Sequence, residues 1–246
     1  MARNGLIVEF LGLPGVGKST LSHRVAGILR QKGIPVYEPT YVLVYRLRKY
    51  KRILRKMLFV GLEVLHNPGH SFLSAKAIVS SKQILSKDVI KTLVTWLYLS
   101  SLRQAHSRIA GVHLFDESIH QALWSIGFGA REKELASIAN GLLGLNHPSH
   151  IVVVVEASLK TIEARLGARL IRHSRLEKKL PDDPHILVRA ENLLEEIKRL
   201  EGHIFPQHET MRIVINNDRD EDFETNVVRI GEFIERMSKD MGFSPL

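Results

Sequence analysis

The sequence contains no cysteine, which excludes disulfides, cysteine nucleophiles and thiolate metal sites and suits a reducing compartment such as the cytoplasm. It has no run of about 18 consecutive apolar residues, which argues against a membrane-spanning helix. The apolar stretch Leu6–Leu11 is interrupted by Glu9 and reads as a strand, not as a secretory signal. Aromatics are sparse at 7%, and only Tyr45 and Tyr50 accompany the densest basic cluster, so base stacking with nucleic acid has weak support. Acidic residues are outnumbered: the net charge of +9 favours acidic ligands without choosing among nucleotides, nucleic acid and anionic lipid. Repeats, low-complexity segments and domain linkers are absent too. The 246 residues are therefore expected to bury one core, as a single domain spanning 1–246.

What is present is Gly12-Leu13-Pro14-Gly15-Val16-Gly17-Lys18-Ser19-Thr20, which completes the phosphate-loop pattern G-x-x-x-x-G-K-[ST]. Its context fits. Leu6–Leu11 supplies a strand entering the loop, and Thr20–Lys32 has helical apolar spacing that stops at Gly33. Glycines let backbone N–H groups approach phosphate oxygens without a Cβ in the way, and the helix N-terminus adds its positive dipole end. Lys18 would reach the β- and γ-phosphates, and the Ser19 hydroxyl would ligate Mg²⁺. The reading is a nucleoside triphosphate site built from Gly12, Pro14, Gly15, Val16, Gly17, Lys18, Ser19 and Thr20.

Further along, strand and helix patterns alternate, which predicts a parallel sheet covered on both faces. The spacing predicts strands at Ile34–Tyr37, Val112–Phe115, Ile151–Val155 and Met211–Ile215, besides the first. Residues from about 40 to 110 read as a helical, substrate-side region with a break at His66–His70. Later helices are expected from Leu159, over His185–Gly202 and over Asp222–Met237. The fold class is thus α/β: a five-stranded P-loop NTPase fold with an Arg-rich lid at about 165–184.

Three acids fall at carboxyl ends of strands, where open parallel sheets bind ligands: Glu38, Asp116 and Glu117. An Asp at such an end beside a phosphate loop is suited to hold Mg²⁺ opposite Ser19, while a separate carboxylate takes the proton from an attacking hydroxyl. Arg165, Arg169, Arg172 and Arg175 are spaced three and four apart, so a continuous helix would place them on one face. A shared anion would offset that crowding of charge, and guanidinium groups stabilise a transferring phosphoryl group.

These residues resemble the deoxynucleoside kinase and thymidylate kinase branch of P-loop kinases. Glu38-Pro39 after the second strand is similar to that branch's Glu-Pro, which implies Glu38 as general base. Phe115-Asp116-Glu117-Ser118 stands where the branch carries Phe-Glu-Arg-Ser, implying Asp116 at Mg²⁺, and the separation of Lys18 from Asp116 is of the size the family shows. Glu156-Ala157-Ser158 followed by Arg165-Leu166 and the later arginines is similar to its fourth strand and lid. Asn216-Asn217-Asp218 sits where such kinases contact the adenine, which implies Asn217 and Arg165 as nucleotide-side residues. The chain departs in three places. Glu117 replaces the arginine of Phe-Glu-Arg-Ser, the helix Val94–Arg103 lacks the Phe-Gln pair that reads the base, and the Asp-Arg-Tyr of thymidylate kinases is missing.

The implied activity is ATP- and Mg²⁺-dependent transfer to a small molecule such as a nucleoside or nucleotide, with Lys18, Glu38, Asp116, Glu117, Arg169 and Arg172 as the catalytic set. The alternative is a P-loop hydrolase acting as a switch, or a non-catalytic nucleotide-binding protein. Against the switch, the chain has neither an Asn-Lys-x-Asp motif nor an ABC signature. The basic stretch Arg46–Lys56 lies beside a helical stripe of Leu43, Leu47, Tyr50, Leu54, Met57 and Leu58. The favoured expectation is a surface helix with this stripe packed on the sheet. Open alternatives are a substrate-side anion site and contact with nucleic acid or anionic membrane. A homodimer is also left open. His66 and His70 have ligand spacing, but Asn67-Pro68-Gly69 breaks their shared face. Trp96 and Trp124 read as core or pocket-wall residues.

Overall fold

A computed structural model describes residues 5–83, 86–130, 135–143, 151–169, 174–204 and 210–242. In chain order the elements begin with β1 (Leu6–Leu11), α1 (Lys18–Gln31) and β2 (Val36–Tyr37). Next come α2 (Pro39–Tyr41) with a π-helical turn at Val42–Arg46, α3 (Lys49–His66), α4 (Pro68–Ser80) and α5 (Ser86–Ser107). The middle of the chain forms β3 (Val112–Phe115), α6 (Ile119–Gly129), α7 (Leu135–Leu143) and β4 (Ile151–Glu156). The remainder is α8 (Leu159–Gly167), α9 (Arg175–Lys179), α10 (Ile186–Ile204), β5 (Met211–Asn216) and α11 (Asp222–Asp240).

The strands form one parallel sheet in the order β2-β3-β1-β4-β5. Leu6 pairs with Val112 and Val8 with Ile151, so β1 is flanked on both sides and sits in the centre. Every residue of β1 is buried, as are the β-branched residues Ile151–Val155 of β4, because helices cover both faces. At the edge, β5 alternates buried Ile213 and Ile215 with exposed Arg212 and Val214. After β1 the chain goes to one side of the sheet for β2 and β3 and to the other for β4 and β5. That reversal opens a crevice at the carboxyl end of β1, where the Gly12–Thr20 loop lies.

Local signals explain the boundaries beside the crevice. Pro68 occupies the first turn of α4, where its missing N–H costs nothing, so only Asn67 separates α3 from α4. Ser118 caps α6 by accepting from the Gln121 N–H at 2.9 Å. Ser158 caps α8 through the Thr161 N–H. Trp96 and Trp124 are both buried, their indole N–H groups donating to Ser74 Oγ at 3.2 Å and to the Ala190 carbonyl at 3.0 Å.

Candidate functional site

Gly15 and Gly17 hold the phosphate loop in its turn with φ of +96° and +98°, in the left-handed region that other residues avoid. A Cβ on Gly17 would come within 2.6 Å of Asn217 Nδ2. That close approach exists because Asn217, at the end of β5, donates Nδ2–H to the Val16 carbonyl at 2.7 Å. Its backbone N–H is held by the Glu156 carbonyl at 2.8 Å. Asn217 thus braces the loop from behind, and its buried Oδ1 has no hydrogen-bond partner among the described residues. Lys18, the first residue of α1, donates from Nζ to the carbonyls of Gly12 at 2.7 Å and Leu13 at 2.9 Å. Burial lowers its pKa to about 7; Arg169 pushes the same way, while Asp116 and Glu117 oppose. Ser19 and Thr20 follow on the first turn of α1, and both reach solvent.

The three acids separate in this geometry. Asp116, at the end of β3, is buried, and its Oδ1 accepts from the Thr40 hydroxyl. Its own backbone N–H donates to Thr40 Oγ1 at 3.2 Å, so the one hydroxyl ties side chain and main chain together, and Oδ2 makes no hydrogen bond among the described residues. Glu117 makes no hydrogen bond or ion pair among the described residues. Burial raises its pKa, the neighbouring Asp116 adds to the rise, and Lys56, Lys18 and Arg52 counter it. Glu38 is buried against α1 instead. Arg30 lies 2.7 Å from its Oε2, and His23 Nδ1 lies 2.8 Å from its Oε1. Glu38 is not among the groups whose charge bears on Lys18.

The arginines do not share one helical face, contrary to the spacing argument. Helix α8 ends at Gly167, and the box formed by Ser174 and Glu177 starts α9 afresh at Arg175. Arg165 is committed to the turn after β5, donating to the Asn217 carbonyl at 2.8 Å and facing Asp220 at 3.3 Å. Arg169 pairs with Glu177 of the capping box and remains within electrostatic reach of Lys18. Arg175 crosses to Ser125 at 3.1 Å and Gln83 at 3.3 Å, anchoring α9 to the opposite wall. Arg172 lies outside the described residues.

The expected packing of the basic stretch holds before α3 and is reversed along it. Leu43 is buried and Leu47 packs partly buried against the core as anticipated, but Tyr50, Leu54, Met57 and Leu58 are exposed, and the inward face of α3 carries Arg52, Arg55 and Lys56 beside Phe59. Lys56 Nζ sits 5.2 Å from the Tyr98 ring centroid, and Phe59 meets the same ring edge-on at 5.9 Å. Arg52 and Lys56 both bear on Glu117, so one wall of the crevice is positively charged. The buried Tyr98 hydroxyl has no hydrogen-bond partner among the described residues, and burial with the nearby Glu117 raises its pKa. The periodicity gave a stripe; what it lacked was the identity of the surface the stripe would meet.

Sequence reasoning missed Thr40 and Tyr98, and it held Arg52 and Lys56 only within the open alternative of a substrate-side anion site. Thr40 follows Glu38-Pro39 directly, and Arg52 and Lys56 stand four apart on a predicted helix, which marks a shared face.

No protein-family model and no curated protein matches the chain. Solved structures do. The deoxyadenosine kinase from M. mycoides with bound dATP is 15% identical at a TM-score of 0.54, with 94% of this chain and 99% of that chain covered. The thymidylate kinase from Candida albicans is 16% identical at a TM-score of 0.55, covering 97% and 94%. The thymidylate kinase from Ehrlichia chaffeensis is 12% identical at 0.51, covering 94% and 99%. At such identities the likeness is one of architecture, and over nearly the whole length the chain has the P-loop α/β fold of nucleoside and nucleotide kinases.

Proposed function

We propose that the chain is an ATP- and Mg²⁺-dependent phosphotransferase whose acceptor is a small hydroxyl-bearing molecule that also carries negative charge, a nucleotide or similar metabolite. The observation that carries this reading is the convergence on Lys18 of Asp116, Glu117 and Arg169, from the end of β3 and the end of α8, at the crevice above β1. Groups of both signs in electrostatic contact around one phosphate-loop lysine suit a transferring phosphoryl group better than simple nucleotide capture.

The donor set suits Mg²⁺, which favours hard oxygen ligands: the Ser19 hydroxyl and Oδ2 of Asp116 would hold it. When bound, the ion offsets charge between the β- and γ-phosphates. Lys18 keeps a third N–H for those phosphates beyond the two it donates to Gly12 and Leu13. The loop amides and the α1 N-terminus cradle the same oxygens. Asn217 keeps the loop in register, and its unpartnered Oδ1 fits a donor such as an adenine amino group.

Glu117 serves as general base in preference to Glu38. Its carboxyl makes no hydrogen bond or ion pair among the described residues, and burial raises its pKa towards the working range, where proton abstraction is efficient. Glu38 has both oxygens engaged by α1 and holds β2 to that helix. Arg52 and Lys56 balance Glu117 and line the acceptor side, which favours an anionic acceptor. Arg169 covers the transferring group from the lid, and sequence alone assigns Arg172 to the same cover.

An ADP-release screen over nucleosides, nucleotides, sugars and antibiotics, with Lys18→Ala as the blank, tests the reading. A phosphotransferase consumes ATP slowly alone and quickly with its acceptor. Rapid Lys18-dependent hydrolysis that no acceptor accelerates would establish a hydrolase instead.

A further inference from the structure

Helix α3 is amphipathic in the opposite sense to an ordinary surface helix. At about 100° per residue, Arg52, Arg55, Lys56 and Phe59 share the face turned to α5, and Tyr50, Leu54, Met57, Leu58 and Leu65 fall opposite them. The outward set is exposed: Leu54 is 70% accessible and Leu65 78%. The adjoining helix α4 also exposes apolar side chains, with Phe72 70% accessible and Val79 60%. The apolar face that Tyr50, Leu54, Met57, Leu58 and Leu65 share on α3 marks an interaction surface, because isolated apolar residues, not patches, are normal on a soluble protein.

Its charge identifies the occupant. From Pro39 to Lys87 the only acidic residue is Glu63, and Glu63 is buried at 2.7 Å from His70 Nδ1. Arg46, Arg48, Lys49, Lys51 and Lys76 are exposed on the same helical hairpin, and none makes an ion pair among the described residues. Lys49 and Lys51 thus flank the apolar face of α3, and Lys76 lies on the face of α4 that carries Phe72 and Val79, so the surface is apolar and basic, with no exposed carboxylate contributed by Pro39–Lys87. A second copy docked through a two-fold axis would set these cations against their own copies, with no exposed acid on the hairpin to receive them. Nucleic acid matches the cations but leaves the apolar face without a partner. An anionic bilayer matches both, taking leucine and phenylalanine side chains at the acyl boundary and lysine and arginine at its headgroups.

We propose that α3 and α4 dock this protein on an anionic membrane surface, with α3 lying in the interfacial plane. The 18 residues of α3 give an interfacial contact about 27 Å long. No described helix is long and apolar enough to cross a membrane, so the contact is peripheral. The inference stands apart from the phosphotransferase reading, because it uses the outward face and not the crevice.

Co-sedimentation of the full chain with phosphatidylcholine vesicles, with and without phosphatidylglycerol, tests it. The expected result is binding to the anionic vesicles only, weakened by salt. The double variant Lys49→Ala/Lys51→Ala should lose on the order of thirtyfold in affinity. Leu54→Gln/Leu58→Gln should also release the protein, with circular dichroism and ATP binding unchanged to show that the fold persists. Three results would overturn the proposal: equal behaviour with neutral and anionic vesicles, anionic binding indifferent to the leucine variants, or a solution dimer that those variants dissociate.

Discussion

Asp116 and Glu117 are adjacent in the chain and chemically alike, yet their surroundings assign them different work. Asp116 is tied to Thr40 through both its side chain and its main chain, which suits a ligand whose position must not vary. Glu117 is unpaired among the described residues, and burial holds its pKa above the ordinary 4.5. An acid with a raised pKa is a base only while ionised, so turnover should fall as pH drops through a value above 4.5. Glu117→Gln should bind ATP normally yet lose about 10²–10⁴ in turnover with no acid limb left in its pH profile. Glu38→Gln should instead lower stability by about 1–3 kcal/mol, through weakened pairing to Arg30 and His23, and retain transfer. The reverse pattern in kinetics and denaturant melts would return the base to Glu38. Lys18 gives a second pH signature. Its folded pKa of about 7 lies below the unfolded 10.5, so the folded protein binds fewer protons between those values and stability rises with pH there. Lys18→Met should therefore raise Tm most below about pH 7, the gain shrinking towards 10.5. A gain independent of pH would show that the buried charge is not its cause.

Among the elements, strands and loop were legible where one local rule was enough. Val112–Phe115, apolar but for His113, and the β-branched Ile151–Val155 are buried on both faces, as only a sheet covered twice allows. The phosphate loop was legible because its glycines, lysine and serine act through backbone geometry that travels with the motif. The lid was not, since the spacing of Arg165, Arg169, Arg172 and Arg175 assumed a continuous helix and gave no weight to Ser174 and Glu177 as a new start. Nor was the fate of Glu38, whose partners His23 and Arg30 lie seven apart on α1 and meet it only after β2 is laid down. The box makes a prediction of its own. Glu177 both caps α9 and holds Arg169, so Glu177→Ala should destabilise α9 by about 1 kcal/mol. It should also free Arg169, changing turnover more than ATP affinity. Arg169→Ala should lower turnover in the same way, and unchanged turnover in both variants would leave that segment a structural connection.

At the scale of the molecule, the sheet order places β1 between β3 and β4, so the groups assigned to the triphosphate reach the crevice from three separate parts of the sequence. Lys18 follows β1, Asp116 follows β3, and Asn217 follows β5. Convergence of this kind couples ligand binding to global stability, because the site exists only when the whole sheet is formed. A ligand bound at 100 times its Kd adds about 2.7 kcal/mol to unfolding free energy. ATP with Mg²⁺ should therefore raise Tm by several degrees, and Lys18→Ala should abolish most of that shift. Asn217→Ala should reduce it by a different route, since the loop loses its brace at the Val16 carbonyl while Lys18 is untouched. The two losses should then combine less than additively in the double variant, since both act on one loop. Full additivity in thermal melts would mean that Asn217 supports the sheet and not the nucleotide, leaving the triphosphate to the groups that follow β1 and β3.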